Sequence, residues 1–348
     1  MSDHSSNTAE PAPVSAALWL PTARFGELLT GLADAGYALR GPEDTGSEIR
    51  LAPIKPDWSP VGMGRVRQSD QGLKPWLFAP SEPLWKTVRQ ADGRLDFAPV
   101  TPVPPPLAIL GARSCDLAAL GMHDTHFAED PWYRARRASL FIVAFDCHEP
   151  AVHCFCTATG DSPVCGRHFD LALAELDDGF VVRAGSARGG EILEPLGLAS
   201  ARSEQRQAAE RKSAQACEVM EGQPDLSDVH EPLLANLNAP HWREIGRRCL
   251  GCGNCTAVCP SCFCSSEHES GDQHVRQWAS CFEPEHSYMA GFHLRPDRAG
   301  RYRQWLTHKF ATWHEQFGRG GCVGCGRCIT ACPVGIDPRE EVQALCRS

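Results

Sequence analysis

Residues 249–260 read CLGCGNCTAVCP, and residues 322–333 read CVGCGRCITACP. Each run sets four cysteines at steps of three, three and four, with a proline after the last. Two-residue spacers let a backbone curl so that three thiols face one centre. Gly251, Gly253, Gly324 and Gly326 lie between those thiols, and without side chains they leave amide N–H groups free to approach the same centre. The fourth thiol of each run falls outside the curl, so a group held by three of them must take its fourth ligand from elsewhere.

A cube of four irons and four sulfides needs one thiolate per iron. The C-x2-C-x2-C-x3-C-P spacing is that of two-cluster ferredoxins, in which the fourth cysteine ligates the other cluster. Two copies therefore imply two [4Fe–4S] clusters with exchanged fourth ligands. Cys249, Cys252, Cys255 and Cys332 would hold one; Cys322, Cys325, Cys328 and Cys259 would hold the other. Zinc is the alternative. Structural zinc sites pair C-x2-C knuckles across a longer loop, which evenly spaced triplets do not suit.

The rest of the chain is consistent with a redox role. Its 348 residues suit two domains. The formal charge is −9, and it is unevenly spread: −11 over the first 241 residues and +2 from Trp242 onward. Neither part is a basic nucleic-acid footprint. The N-terminus has no basic segment ahead of an apolar core, and no apolar stretch is long enough to span a bilayer, so a soluble cytoplasmic chain is expected. There, thiols stay reduced, and 18 cysteines need a reason other than disulfides. Metal binding is the leading one.

The fold class expected is α+β: an N-terminal α/β domain with a mixed sheet, then an α-helical ferredoxin-like domain carrying two [4Fe–4S] clusters. Residues 1–14 are small, polar and Pro-bearing and read as disordered. Residues 15–198 form the α/β domain. PTARFGELLTGLADAG reads as a helix, with Thr22 as its cap, Phe25, Leu28, Leu29 and Leu32 on one face, and Gly36 closing it. LAIL and SLFIVAF read as strands buried on both faces, and Ser114 caps a helix between them. LALAEL-DDG-FVVRA reads as a hairpin turning at Asp178-Gly179. Residues 199–232 are a polar connecting helix and linker. Residues 233–348 hold 12 of the 18 cysteines. Within them, 298–317 reads as a helix about 30 Å long. Its Tyr302, Trp305, Leu306, Phe310, Trp313 and Phe317 share an arc of about 140°, as core or as a partner-docking face.

NAPHWREIGRRCLGCGNCTAVCPSCFCSS, RYRQWLTHKF and CVGCGRCITACPVGID together resemble the beta subunit of soluble sulfhydrogenases, and also the equivalent iron–sulfur subunit of anaerobic sulfite reductases. LGARSCDLAAL, DPWYRARRASLFIVAFDC and HCFCTATG extend the resemblance back to about residue 107. It implies an electron-carrying subunit with two [4Fe–4S] clusters, whose ligands carry over onto all eight cysteines named above. It also implies a hetero-oligomer: a flavin- and NAD(P)H-binding reductase subunit on one side, and hydrogenase small and large subunits, or a sulfite reductase, on the other.

Other cysteines remain. Cys262, Cys264 and Cys281 read as reserve ligands, a redox pair or buried small hydrophobes. Cys115, Cys147, Cys154, Cys156 and Cys165 crowd the α/β domain, with His148 and His153 nearby; a third metal site or a thiol active in sulfur chemistry are the alternatives to simple burial. Arg113 and Asp116 flank Cys115 as a salt bridge or cap, or as contacts to a neighbouring subunit. Arg327 reads as a solvated surface arginine or as a charge that raises a cluster potential. No catalytic triad, acid–base pair, GxGxxG or P-loop stands out. The expectation is a non-catalytic electron-transfer subunit. The alternatives are an enzyme reducing polysulfide at the extra cysteines and a zinc-bound scaffold.

Overall fold

A computed structural model describes residues 17–46, 48–64, 70 and 72–347. The N-terminal segment expected to be disordered lies outside the described residues. Among the described residues, nine strands form up to position 184: β1 (Leu18–Pro21), β2 (Ala38–Asp44), β3 (Ile49–Pro53), β4 (Ser81–Arg89), β5 (Leu95–Pro99), β6 (Leu107–Ala112), β7 (Leu140–Phe145), β8 (Leu171–Glu175) and β9 (Gly179–Ala184). Seven of them make one mixed sheet in the order β1-β9-β8-β7-β6-β2-β3. Its centre, β2-β6-β7-β8, is parallel; the pairs β8–β9, β1–β9 and β2–β3 are antiparallel.

The central strand explains the two-sided core. Every residue of β7 is buried. Successive side chains point to opposite faces. Phe141, Val143 and Phe145 join α1 (Phe25–Asp34) through Phe25, Leu28, Leu29 and Leu32. Leu140, Ile142 and Ala144 join Leu117, Leu120 and Tyr133 on the other face. Those residues lie on α3 (Ser114–His126) and α4 (Pro131–Ser139), which connect β6 to β7; a short α2 (Lys74–Leu77) precedes β4. Helix α1 ends at Asp34 with Gly36 at φ 89°, as its sequence predicts. Its start differs: a 3-10 turn, Thr22–Arg24, precedes it, and no side chain caps either. The cap of α3 also differs. Arg113, not Ser114, is the capping position, and the Asp116 carboxylate accepts from the Arg113 N–H at 3.0 Å.

After α5 (Ala187–Leu193), the helix α6 (Ser203–Val219) sets Ala209 against Val181 of β9. The remaining helices are α7 (His230–Ala235), α8 (His241–Arg248), α9 (Asn254–Ala257), α10 (Arg298–Thr307), α11 (Trp313–Phe317), α12 (Arg327–Thr330) and α13 (Pro338–Cys346). They enclose their own core, built on Trp242, Ile245, Tyr302, Trp305, Leu306, Phe310, Val342 and Leu345. The apolar arc read over 298–317 is therefore core. The helix is not regular: a π-turn at His308–Thr312 joins α10 to α11.

This C-terminal part is less purely helical than expected. Between the cysteine runs, β10 (Ser265–Ser270) and β11 (Gln273–Trp278) form a hairpin that pairs with β4, giving a second sheet β10-β11-β4-β5. Glu82 of β4, 3 % exposed, accepts from Arg136 at 2.5 Å and from Arg276 of β11 at 2.6 Å, so a buried carboxylate joins the two parts of the chain.

Asp170 performs a comparable task inside the main sheet. It is buried just ahead of β8 and accepts from the Ile142 N–H at 2.8 Å, Ser186 Oγ at 2.6 Å and Arg188 Nη2 at 3.0 Å. Removing it orphans a buried backbone donor, which costs about 2 kcal/mol. Asp170→Ala should lower the urea midpoint accordingly, followed by tryptophan fluorescence, and Ser186→Ala should cost less.

Candidate metal centres

The two cysteine loops fold alike. Gly251 and Gly253 sit at φ 69° and 77°; Gly324 and Gly326 sit at 60° and 72°. Gly253 and Gly326 then cap the one-turn helices α9 and α12, which pack against each other. Asn254 Nδ2 donates to Ala331 O at 3.3 Å and ties one loop to the other. Backbone amides approach the sulfurs at the same relative place: Gly251 N to Cys249 Sγ at 3.4 Å and Gly324 N to Cys322 Sγ at 3.5 Å.

Face-to-face packing distributes the eight cysteines between two cavities. Cys249, Cys252, Cys255 and Cys332 line the first. Cys259, Cys322, Cys325 and Cys328 line the second. The cysteine before each proline thus lies with the three of the opposite run. Cys328 and Trp305 border both cavities. Cys252 is exposed at the surface, between Leu250 and Gly253, while the second cavity is deeper.

Two donors test whether a cluster fits. Tyr302 and Trp305 line the first cavity, yet the buried Tyr302 hydroxyl and Trp305 indole N–H have no partner among the described residues. A buried donor without an acceptor costs 1–3 kcal/mol. Sulfide and thiolate acceptors in that cavity would satisfy both. A single ion fits less well: among the described residues no three His, Cys, Asp or Glu side chains converge as ion ligands.

Positive charge surrounds the second cavity. Lys309, buried, donates to Ser261 Oγ at 2.9 Å and to Gly321 O at 3.1 Å. Burial favours its neutral form, but Cys259, Cys262 and Cys322 outweigh that and hold its pKa above the usual lysine range. Lys74 is buried beside Trp278 and donates to Thr256 O and Ala257 O; burial lowers its pKa. Arg327 is not a solvated surface residue. It is 4 % exposed and its guanidinium donates to Asp116 at 2.8 Å. Asp116 thereby bridges the start of α3 to the second run. The expected pairing of Arg113 with Asp116 is a backbone cap; the ion pair belongs to Arg327.

Sequence reading overlooked Lys309. It falls inside the apolar arc of the 298–317 helix, and a lone charge in such a stripe was the available signal. The extra cysteines separate into groups. Cys262 is hydrogen-bonded to Cys259, and Cys264 to Cys281. The Cys281 thiol, His286 and His308 push Cys264 down to about 4 against the effect of burial. Cys165 is buried in the sheet core. Cys115, Cys147, Cys154 and Cys156 line a separate cavity of about 380 Å3 beside the second run. Burial raises all four of their pKa values, Cys154 to about 11.

Residues 248–336 match the family of 4Fe–4S dicluster domains. Over 259 residues the chain is 34 % identical to sulfhydrogenase 2 subunit beta of Pyrococcus furiosus, covering 68 % of this chain and 72 % of that relative. The chain belongs to the sulfhydrogenase beta-subunit family. It is an iron–sulfur electron-transfer subunit.

Glycine geometry makes a prediction. A Cβ on Gly324 would stand 2.4 Å from Cys156 Cα, and one on Gly326 would stand 2.3 Å from His153 O. A Cβ on Gly251 would meet nothing closer than 3.5 Å. Gly251→Ala therefore carries only left-handed strain, roughly 1 kcal/mol, and should keep its iron. Gly324→Ala must force two backbones apart. It should lose iron from the second cavity, seen as lower iron content and visible absorbance.

Proposed function

We propose that this chain relays single electrons from a partner that binds flavin and NAD(P)H to a nickel–iron hydrogenase module, or back again. Cys249, Cys252, Cys255 and Cys332 would hold one [4Fe–4S] cluster, and Cys322, Cys325, Cys328 and Cys259 a second. The observation that carries the reading is the division of eight thiols into two quartets on adjoining cavities. Bound there, each cluster supplies a one-electron redox centre. The partners follow from the relative's place as a subunit of a sulfhydrogenase. The domain boundaries at 198 and 233 are part of this reading. So is a location in the cytoplasm; among the described residues no helix is long and apolar enough to cross a membrane.

The chain's own residues set what those centres can do. Tyr302 and Trp305 offer donors to the first quartet. Lys309 and Arg327 put cations beside the second, which favours the reduced, more negative state. Leu250 and Val334, 55 % and 41 % exposed, rim the first cavity next to exposed Cys252. That apolar rim suits a partner that brings its own redox centre close.

Cys255→Ser and Cys328→Ser should each remove about four irons and one paramagnetic species while sparing the rest. Purification of the complex from its native host should bring along a nickel–iron large subunit; a co-eluting sirohaem protein would select sulfite reduction and overturn the hydrogenase assignment. The lysine gives a second, independent check. At an effective dielectric of about 20, a unit charge about 7 Å from a centre is worth roughly 2 kcal/mol, or ~100 mV. Lys309→Met should lower one cluster potential by about that amount in a redox titration followed by electron paramagnetic resonance, and Lys309→Arg should restore most of it.

A further inference from the structure

Four thiols outside the two cysteine runs meet in one place. Cys115 lies in the first turn of α3, directly after β6. Cys147 lies two residues past the end of β7. Cys154 and Cys156 lie on the loop that follows. All four line the cavity of about 380 Å3, together with Arg113 and Met220. Protein interiors rarely leave a space much larger than a water molecule. This one stands at the carboxyl ends of two adjacent parallel strands, where open α/β sheets hold their ligands.

The cavity also adjoins the second quartet. Gly324 and Cys325 form part of its wall. The Phe155 N–H donates to Gly324 O at 2.7 Å, and Cys154 Sγ lies 3.9 Å from Cys325 O. Gly324 and Gly326 have no room for a Cβ because the 153–156 loop presses on them. The loop bearing two of the thiols is thus seated on the loop bearing three proposed cluster ligands.

We propose that Cys115, Cys147, Cys154 and Cys156 hold a third iron–sulfur cluster, beside the second and in line with the first. Thiolates from four positions around a cavity suit a polynuclear group. They do not close on one point as zinc would require, since no three such ligands converge among the described residues. The anionic centre would be compensated locally. Buried Arg113 borders the cavity, Arg327 is paired to Asp116 one residue from Cys115, and the 13-residue α3 directs the positive end of its dipole at the site. The opposing possibility is an empty thiol-lined pocket for a sulfur substrate.

This inference adds to the two-cluster reading and is tested separately from it. The full-length chain, prepared anaerobically, should contain about twelve irons and as many acid-labile sulfides, against about eight for two cubes. The double variant Cys115→Ser/Cys154→Ser should lose about a third of both and one paramagnetic species, leaving the signals of the other two. Should that variant fail to fold, single Cys154→Ser retains three thiols, and the oxidised protein should show the signal of a three-iron cluster. Cys217→Ser, outside the cavity, should change nothing. A wild-type content near eight irons that Cys115→Ser/Cys154→Ser leaves unaltered overturns the third cluster and spares the first two. So does zinc that disappears with the same substitutions. A chain without iron would instead end the two-cluster reading.

Discussion

A group held by three thiols from one loop and a fourth from another can be gripped only if both loops are fixed relative to each other. That constraint organises the C-terminal part of this protein. Neither loop has enough apolar residues to fix itself. They are held by α9 packing on α12, by the Asn254–Ala331 hydrogen bond, and by the aromatic core around Trp305 behind them. On the other side the second loop is clamped by the sheet domain, through the 153–156 loop and the buried Arg327–Asp116 pair. The sheet domain is therefore part of the frame of the second quartet and not an appendage to it.

Charge imposes the second demand. Quartets of thiolate in a low-dielectric interior need compensation, because an unpaired buried charge is costly. The fold answers with cations that are themselves anchored to neutral carbonyls or hydroxyls. Lys309 rests on Ser261 and Gly321, and Lys74 on the carbonyls of Thr256 and Ala257. Neither has a carboxylate partner among those contacts, so their charge stays available to the sulfurs. Arg327 differs, since Asp116 takes up part of its charge. The π-turn at His308–Thr312 fits this picture: local widening of a helix is common where a side chain must be re-aimed, and Lys309 lies within it.

What was legible in the sequence follows from these demands. Ligand spacing is covalent and local, so the runs declared both the triplets and the proline-linked fourth cysteines. The strands at LAIL and SLFIVAF were legible because burial on both faces leaves a continuous apolar run. The hairpin at 265–278 was not. Every residue of β10 is exposed, so no alternation marks it, and its partner β4 lies some 180 residues earlier in the chain. Arg327 looked solvated because its partner, Asp116, is equally remote. Cys115, Cys147, Cys154 and Cys156 were visible as a crowd of thiols, but only the parallel pairing of β6 with β7 brings the ends of those strands side by side.

The order of the cavities then has a consequence for direction. Cys325 borders both the thiol-lined cavity at the strand ends and the second quartet; Cys328 and Trp305 border both the second quartet and the first. The first reaches the surface at Cys252. These shared walls make a single line through the molecule. The second quartet occupies its middle, where Lys309 and Arg327 are concentrated. Cations there stabilise an electron on the central site relative to its neighbours. A relay with its most favourable site buried at the centre holds charge away from solvent until a partner at either end can accept it, and it does so without any moving part.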